Sequence, residues 1–190
     1  AVEEEQREQT KKRNKLLYQS EHDELTGLYN KRSLNRYLED VFEACKLNEK
    51  ELGILFLDID YFKQLNDRYG HGKGDEGICA VADTLKRIFP EDYVARYGGD
   101  EFLVVMTGRD LAYAMEHAEL LCAGIRESKI SNEDSELEPW LTISVGGVCA
   151  IPKEPNRVWD FLSAADNTLY EQKKEQKGKV RFYQGEGKYL

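Results

Sequence analysis

Between Leu52 and Leu57 the chain reads Leu-Gly-Ile-Leu-Phe-Leu without one polar side chain, then closes on Asp58-Ile59-Asp60. An apolar run without alternation suits a central strand buried on both faces, and such a strand requires covering layers on either side of a sheet. Carboxylates at the end of a buried strand are costly unless something satisfies them. A divalent cation would do so, and so would hydrogen bonds that cap the strand end.

A second acidic strand end follows in Ala95-Arg96-Tyr97-Gly98-Gly99-Asp100-Glu101-Phe102-Leu103-Val104-Val105. β-Branched and aromatic residues on either side of the two glycines predict a hairpin over 93–97 and 101–107. Gly98 and Gly99 can take positive φ and leave the backbone bare enough for a nucleotide to approach. Alone, Asp100 and Glu101 could equally face solvent. Paired with Asp58, either would make half a cage for Mg²⁺, which prefers a few carboxylate oxygens supplemented by phosphate and water.

The segment Asn66-Asp67-Arg68-Tyr69-Gly70-His71-Gly72-Lys73-Gly74-Asp75 reads as a glycine-rich loop opening a helix, with N–H groups available to an anion. Asn66 and Asp75 match a purine edge, because an amide both donates and accepts while a carboxylate takes the two N–H donors of guanine. As bare residues they are also common helix caps.

Further helices are expected at 1–20, 31–47, 61–69, 73–89, 110–128 and 157–174, with strands at 52–58, 141–150 and 179–183. The order predicts an α+β fold, a mixed central sheet flanked by helices. The acidic stretch 131–139 reads as a mobile surface loop. At 190 residues one core is expected, and the net charge of −9 argues against a template-reading polymerase and against any nucleic-acid partner. No apolar run approaches the ~20 residues of a membrane span, so no membrane contact by this segment is expected. Cys45, Cys79, Cys122 and Cys149 form no close pair and suit reduced residues of a cytoplasmic protein, or of the cytoplasmic part of a membrane-anchored sensor. The three histidines, His22, His71 and His117, are scattered and give no sign of a nucleophile or metal set.

Asp58-x-Asp60-x-Phe62-Lys63-x-x-Asn66-Asp67-x-x-Gly70-His71-x-x-Gly74-Asp75, followed by Arg96-Tyr97-Gly98-Gly99-Asp100-Glu101-Phe102, closely resembles the GGDEF family of diguanylate cyclases. The resemblance begins at Asp23-Glu24-Leu25-Thr26-Gly27-Leu28-Tyr29-Asn30 and runs through Thr142-Ile-Ser-Val-Gly-Gly147 to Ala165-Asp166-x-x-Leu169-Tyr170-x-x-Lys173. It implies a fold like the palm of polymerases and class III nucleotide cyclases. The implied activity joins two GTP into cyclic di-GMP with loss of two pyrophosphates; a silent domain acting as a GTP or cyclic di-GMP receptor is the alternative.

Carried over residue by residue, the resemblance implies that Asp58, the Ile59 carbonyl and Asp100 hold Mg²⁺ or Mn²⁺, with Glu101 a further ligand or the general base. Asn66 and Asp75 would read guanine. Phe62 and Lys63 would contact the phosphates, as would Lys173 and Lys177 from the last helix, alongside the bare Gly98–Gly99 turn. The family commonly has Gly-Arg-Asn where this chain has Gln176-Lys177-Gly178, so Lys177 keeps the charge without the bidentate fork. The family's Arg-x-x-Asp product-inhibition site would fall at Phe89 and Asp92, and with Phe89 in place of the arginine that site is expected to be absent.

A product with two-fold symmetry, made by a site sized for one GTP, implies a transient homodimer. Residues 1–22 are almost all charged or amide and read as an exposed signalling or linker helix, preceding a cyclase domain at 23–190. The helix and the absence of an initial Met suggest a piece of a longer chain with an upstream sensor domain.

Overall fold

In the computed structural model of the chain, residues 2–185 are described, so residue 1 and residues 186–190 of the two expected segments lie outside the description. Strand β1 (Leu52–Ile59) occupies the middle of a five-stranded sheet. The other strands are β2 (Tyr93–Arg96), β3 (Glu101–Thr107), β4 (Ile143–Ala150) and β5 (Val180–Phe182), in the order β2-β3-β1-β4-β5. β1 runs antiparallel to β3 and β4, whereas β5 joins β4 in parallel, so the sheet is mixed as expected. Every residue of β1 is buried, which is why its sequence shows no alternation.

The strand pleat divides the core in two. Leu55, Leu57 and Ile59 pack with Phe102 and Val104 beneath α3 (Phe62–Tyr69), α4 (His71–Ile88) and α5 (Leu111–Glu127). Leu52, Ile54 and Phe56 pack with Leu103 and Val105 against α2 (Lys31–Leu47) and α6 (Val158–Glu175). Phe161 of α6 meets Phe42 of α2 edge-on at 5.5 Å between ring centroids, and it is fully buried. Truncating it to alanine would cost about 3–5 kcal/mol.

Local chemistry sets the helix ends. Asn30 caps α2 by accepting from Ser33 N at 2.9 Å, and Asp110 caps α5 by accepting from Tyr113 N at 2.8 Å. Gly70, at φ +85°, separates α3 from α4. The glycine-rich segment after it is the first turn of α4, with the Lys73 and Gly74 amides returning to Gly70 O, so it is not the open loop that the sequence suggests. Gly146 settles how α6 lies on the sheet: a Cβ there would fall 2.2 Å from Leu169 N and 2.4 Å from Ala165 O. Only a glycine lets the helix backbone come this close.

Helix α1 (Val2–Glu21) buries none of its residues. The acidic stretch 131–139 is tied down: Arg68 pairs with Glu133 at 2.6 Å and Asp134 at 2.7 Å, and Arg126 pairs with Glu138 at 3.4 Å. Its charges have partners on α3 and α5, a pairing that local composition does not reveal. Among the described residues, no helix is long and apolar enough to cross a membrane.

Candidate active site

Asp58 and Glu101 are direct partners across the β1–β3 ladder, so both point to the sheet face covered by α6. Asp58 is 8% exposed. Its Oδ2 accepts a charge-assisted hydrogen bond from Lys173 Nζ, which α6 delivers because Gly146 lets the helix lie close. Its Oδ1 is buried with no hydrogen-bond partner. Burial pushes the Asp58 carboxyl up to about 6; Lys173 opposes the rise, while Asp60 and Asp100 add to it.

Asp60 resolves the other way. Thr142 Oγ1 donates to its Oδ2 at 2.8 Å and Ser144 Oγ to its Oδ1 at 2.6 Å, so both oxygens are satisfied within the protein. Burial raises its pKa, with the two hydroxyls acting against the rise. Of the two reasons for acids at this strand end, hydrogen bonding accounts for Asp60 and leaves Asp58 with an open oxygen.

The signature hairpin does not use the freedom of its glycines, since neither Gly98 nor Gly99 takes a positive φ. Gly98 instead gives room to a side chain: a Cβ there would lie 2.6 Å from Glu101 Oε2, and the carboxylate would have to swing away. Gly99 is exposed, with nothing within 4 Å of where a Cβ would be. Tyr97 and Gly98 both donate their amides to Glu101 O, at 2.8 and 3.2 Å, closing the turn. Asp100 O accepts from Ile59 N at 3.2 Å, which brings the turn beside the end of β1. Burial raises the Glu101 carboxyl, and Asp100 and Asp166 reinforce the shift against Lys173 and Lys31.

Arg96 and Asp23 were not among the residues expected to act at the site. Arg96 donates to Gly98 O at 3.1 Å and to Gly99 O at 2.7 Å, and its Nη1 pairs with Asp23 Oδ1 at 3.1 Å. Burial works to raise Asp23, but the Thr26 hydroxyl and amide together with Arg96 outweigh it and hold the carboxyl below its ordinary value. An arginine one residue before Tyr97-Gly98-Gly99 and an acid opening the Asp23–Asn30 motif were the available signals, but a pairing across more than seventy residues cannot be read from spacing.

On α3, Asn66 Oδ1 is buried without a partner. A Cβ on Gly74 would come within 1.9 Å of that oxygen and 3.2 Å of the Phe62 ring, so α4 keeps this position bare to house the amide. Asp75 follows at an exposed position on α4, and Lys63 is exposed on α3. Lys177 Nζ lies 5.5 Å above the Tyr61 ring. Away from these groups, Phe89 caps α4 and is buried, and Asp92 Oδ2 accepts from Tyr113 Oη at 3.1 Å.

Among the described residues, no three His, Cys, Asp or Glu side chains gather closely enough to hold a metal by themselves. The unsatisfied Asp58 Oδ1 nonetheless fits a hard cation that takes its other ligands from phosphate and water.

The family description "Diguanylate cyclase, GGDEF domain" matches residues 20–179. A probable diguanylate cyclase of Escherichia coli (strain K12), DgcC, is 31% identical over 164 residues, covering 85% of this chain and 43% of that protein. The chain therefore spans less than half the length of that relative. The crystal structure of the coiled coil and GGDEF domain of DgcB from Caulobacter crescentus, in complex with c-di-GMP, superposes with a TM-score of 0.85 over 95% of each chain. At 22% identity it shows the fold alone. The diguanylate cyclase SiaD of Pseudomonas aeruginosa, solved with its activator SiaC, matches at a TM-score of 0.75 and 27% identity, covering 95% of this chain and 70% of that one. The fold is the palm-like cyclase fold of GGDEF domains.

Proposed function

The chain belongs to the GGDEF diguanylate cyclase family, and from that premise we propose that it condenses two GTP into cyclic di-GMP, releasing two pyrophosphates. The observation that carries the reading is the buried, unpartnered Oδ1 of Asp58 opposite Glu101, since an orphaned carboxylate oxygen has no structural purpose at a strand end. Mg²⁺ or Mn²⁺, held by Asp58, the Ile59 carbonyl and Asp100, would neutralise charge on the phosphate oxygens and make the 3′-hydroxyl more acidic.

The remaining work is alignment and proton transfer. Glu101 stands as a further ligand or as the base that accepts the proton of the attacking 3′-hydroxyl; its raised pKa suits the second role. Asn66 and Asp75 hold the guanine edge. Phe62 and Lys63 contact the phosphates through backbone and side chain, with Lys173 and Lys177 neutralising the outer ones. Each protomer binds one GTP, and two protomers meet across a two-fold axis so that each hydroxyl faces the other's α-phosphorus. The segment before residue 23 acts as the linker to an upstream domain, and the domain itself spans 23–190.

Incubating the purified chain with GTP and Mg²⁺ tests the reading. Pyrophosphate together with a cyclic dinucleotide supports it. Nucleotide binding without turnover would favour the receptor alternative.

A further inference from the structure

Five aromatic rings from four parts of the chain form one continuous stack. Tyr18 of α1 lies on His22 at 3.9 Å between centroids and 15° between planes, and His22 lies on Tyr29 at 4.6 Å and 27°. Tyr29 stacks on Tyr93 of β2 at 4.2 Å and 8°, and Tyr93 on Tyr37 of α2 at 3.8 Å and 6°. The stack begins on a helix that buries no residue, passes through the edge strand leading into the signature turn, and ends on α2.

We propose that this ring column sets the position of the Gly98–Gly99 turn according to the pose of α1, with His22, Tyr29 and Tyr93 as positioning residues for the catalytic hairpin. Each ring is stacked on the next, so a displacement of Tyr18 toward His22 is passed along the stack to Tyr93. Tyr29 is also stitched to β2 by backbone bonds: its N–H donates to Val94 O at 3.2 Å and its O accepts from Arg96 N at 2.9 Å. Arg96 in turn holds Gly98 O and Gly99 O, so movement of β2 moves the turn that carries Asp100 and Glu101. The ring contacts are distinct from the Asp23–Arg96 ion pair, and the two meet at Arg96. The inference rests on the cyclase reading for its consequence in turnover, but the mechanical link itself does not.

The test uses the full chain and Tyr18, which is 55% exposed and can be changed without loss of the core. Backbone amide resonances of Gly98 and Gly99 are recorded for Tyr18→Ala, Tyr18→Phe, Tyr93→Leu and Tyr93→Phe, with kcat and KM for GTP alongside. Tyr18→Ala is expected to shift both glycine resonances and lower kcat by roughly tenfold. KM should stay within about twofold, and both Phe variants, which keep the ring, should behave as the parent. The Tyr18→Ala/Tyr93→Leu pair should be non-additive although the two side chains are not adjacent. Glycine resonances that stay in place in Tyr18→Ala, or additive effects of the pair, would overturn the link. Shifted resonances in a chain that makes no cyclic dinucleotide would sustain the link and refute the cyclase reading instead.

Discussion

Lys173, on the last long helix, donates to the same carboxylate whose other oxygen is left unsatisfied at the end of β1, that of Asp58. The pair is largely shielded from water, with side-chain exposures of 30% and 12%. Removing Lys173 leaves the buried carboxylate without its counter-charge, whereas removing Asp58 leaves an ammonium that can still reach water, so only the first change should be costly. Lys173→Met is therefore expected to lower the melting temperature in chelator and to recover more stability on adding Mg²⁺ than the parent does. Equal responses to Mg²⁺ in parent and variant would contradict a shared role for Lys173 and a cation at Asp58.

The raised pKa of Asp58 fixes the sign of a pH effect. Its folded value of about 6 exceeds the ordinary 3.8, so between these values the folded state holds a proton that the unfolded state has lost. Metal-free stability from this group should thus fall as pH rises from about 4 through about 6, by at most about 3 kcal/mol. Asp58→Asn should flatten this part of the profile, match or exceed the parent's melting temperature above pH 7, and abolish turnover. Cation affinity and turnover of the parent should rise through the same window. A lower metal-free melting temperature for Asp58→Asn at pH 8 would show that Asp58 is structural.

Gly74 provides a test of base reading that spares the charges. In an ordinary helix Gly→Ala stabilises by about 0.5–1 kcal/mol. Here the added methyl meets Asn66 Oδ1, so Gly74→Ala should raise KM for GTP while gaining no stability. Asp75→Ser should weaken the preference for GTP over ATP by on the order of a few kcal/mol, through loss of the acceptor facing guanine. Equal use of the two nucleotides by the parent would refute the guanine-reading role.

Product feedback should be absent at the position where the family's inhibitory site would fall. Phe89 is packed inside the helix end and cannot donate to a phosphate, and the Asp92 carboxylate already accepts from Tyr113. Cyclic di-GMP is expected to inhibit only by competing with GTP. Calorimetric titration showing tight binding of two ligands per protomer, lost on Asp92→Ala, would contradict this.

The sequence made the fold legible because its strongest signals were local and agreed with one another. The uninterrupted apolar run marked β1, and Asn30, Gly70 and Asp110 sit at helix boundaries for ordinary capping and turn reasons. Asp58 and Glu101 were legible as acids at strand ends, and the ladder makes them neighbours. What was hidden depends on distant partners. Asp60 looked equivalent to Asp58 until Thr142 and Ser144 were found to satisfy it. Gly98 looked like a turn residue, but its bareness makes room for the Glu101 carboxylate rather than for a positive φ. The Tyr18–Tyr37 column joins residues from α1, the turn after it, β2 and α2 with no shared periodicity, so no window of sequence contains it.

The measurement that bears most directly on the account follows pyrophosphate and cyclic dinucleotide together, for the parent, Asp100→Ala and Glu101→Gln, with GTP and Mg²⁺ at protein concentrations high enough for protomers to meet. The account predicts that the parent releases two pyrophosphates for each cyclic di-GMP formed. Both variants should remain folded and make neither product. Product formation undiminished in Asp100→Ala, or a parent that binds GTP and releases no pyrophosphate at any protein concentration, would contradict it.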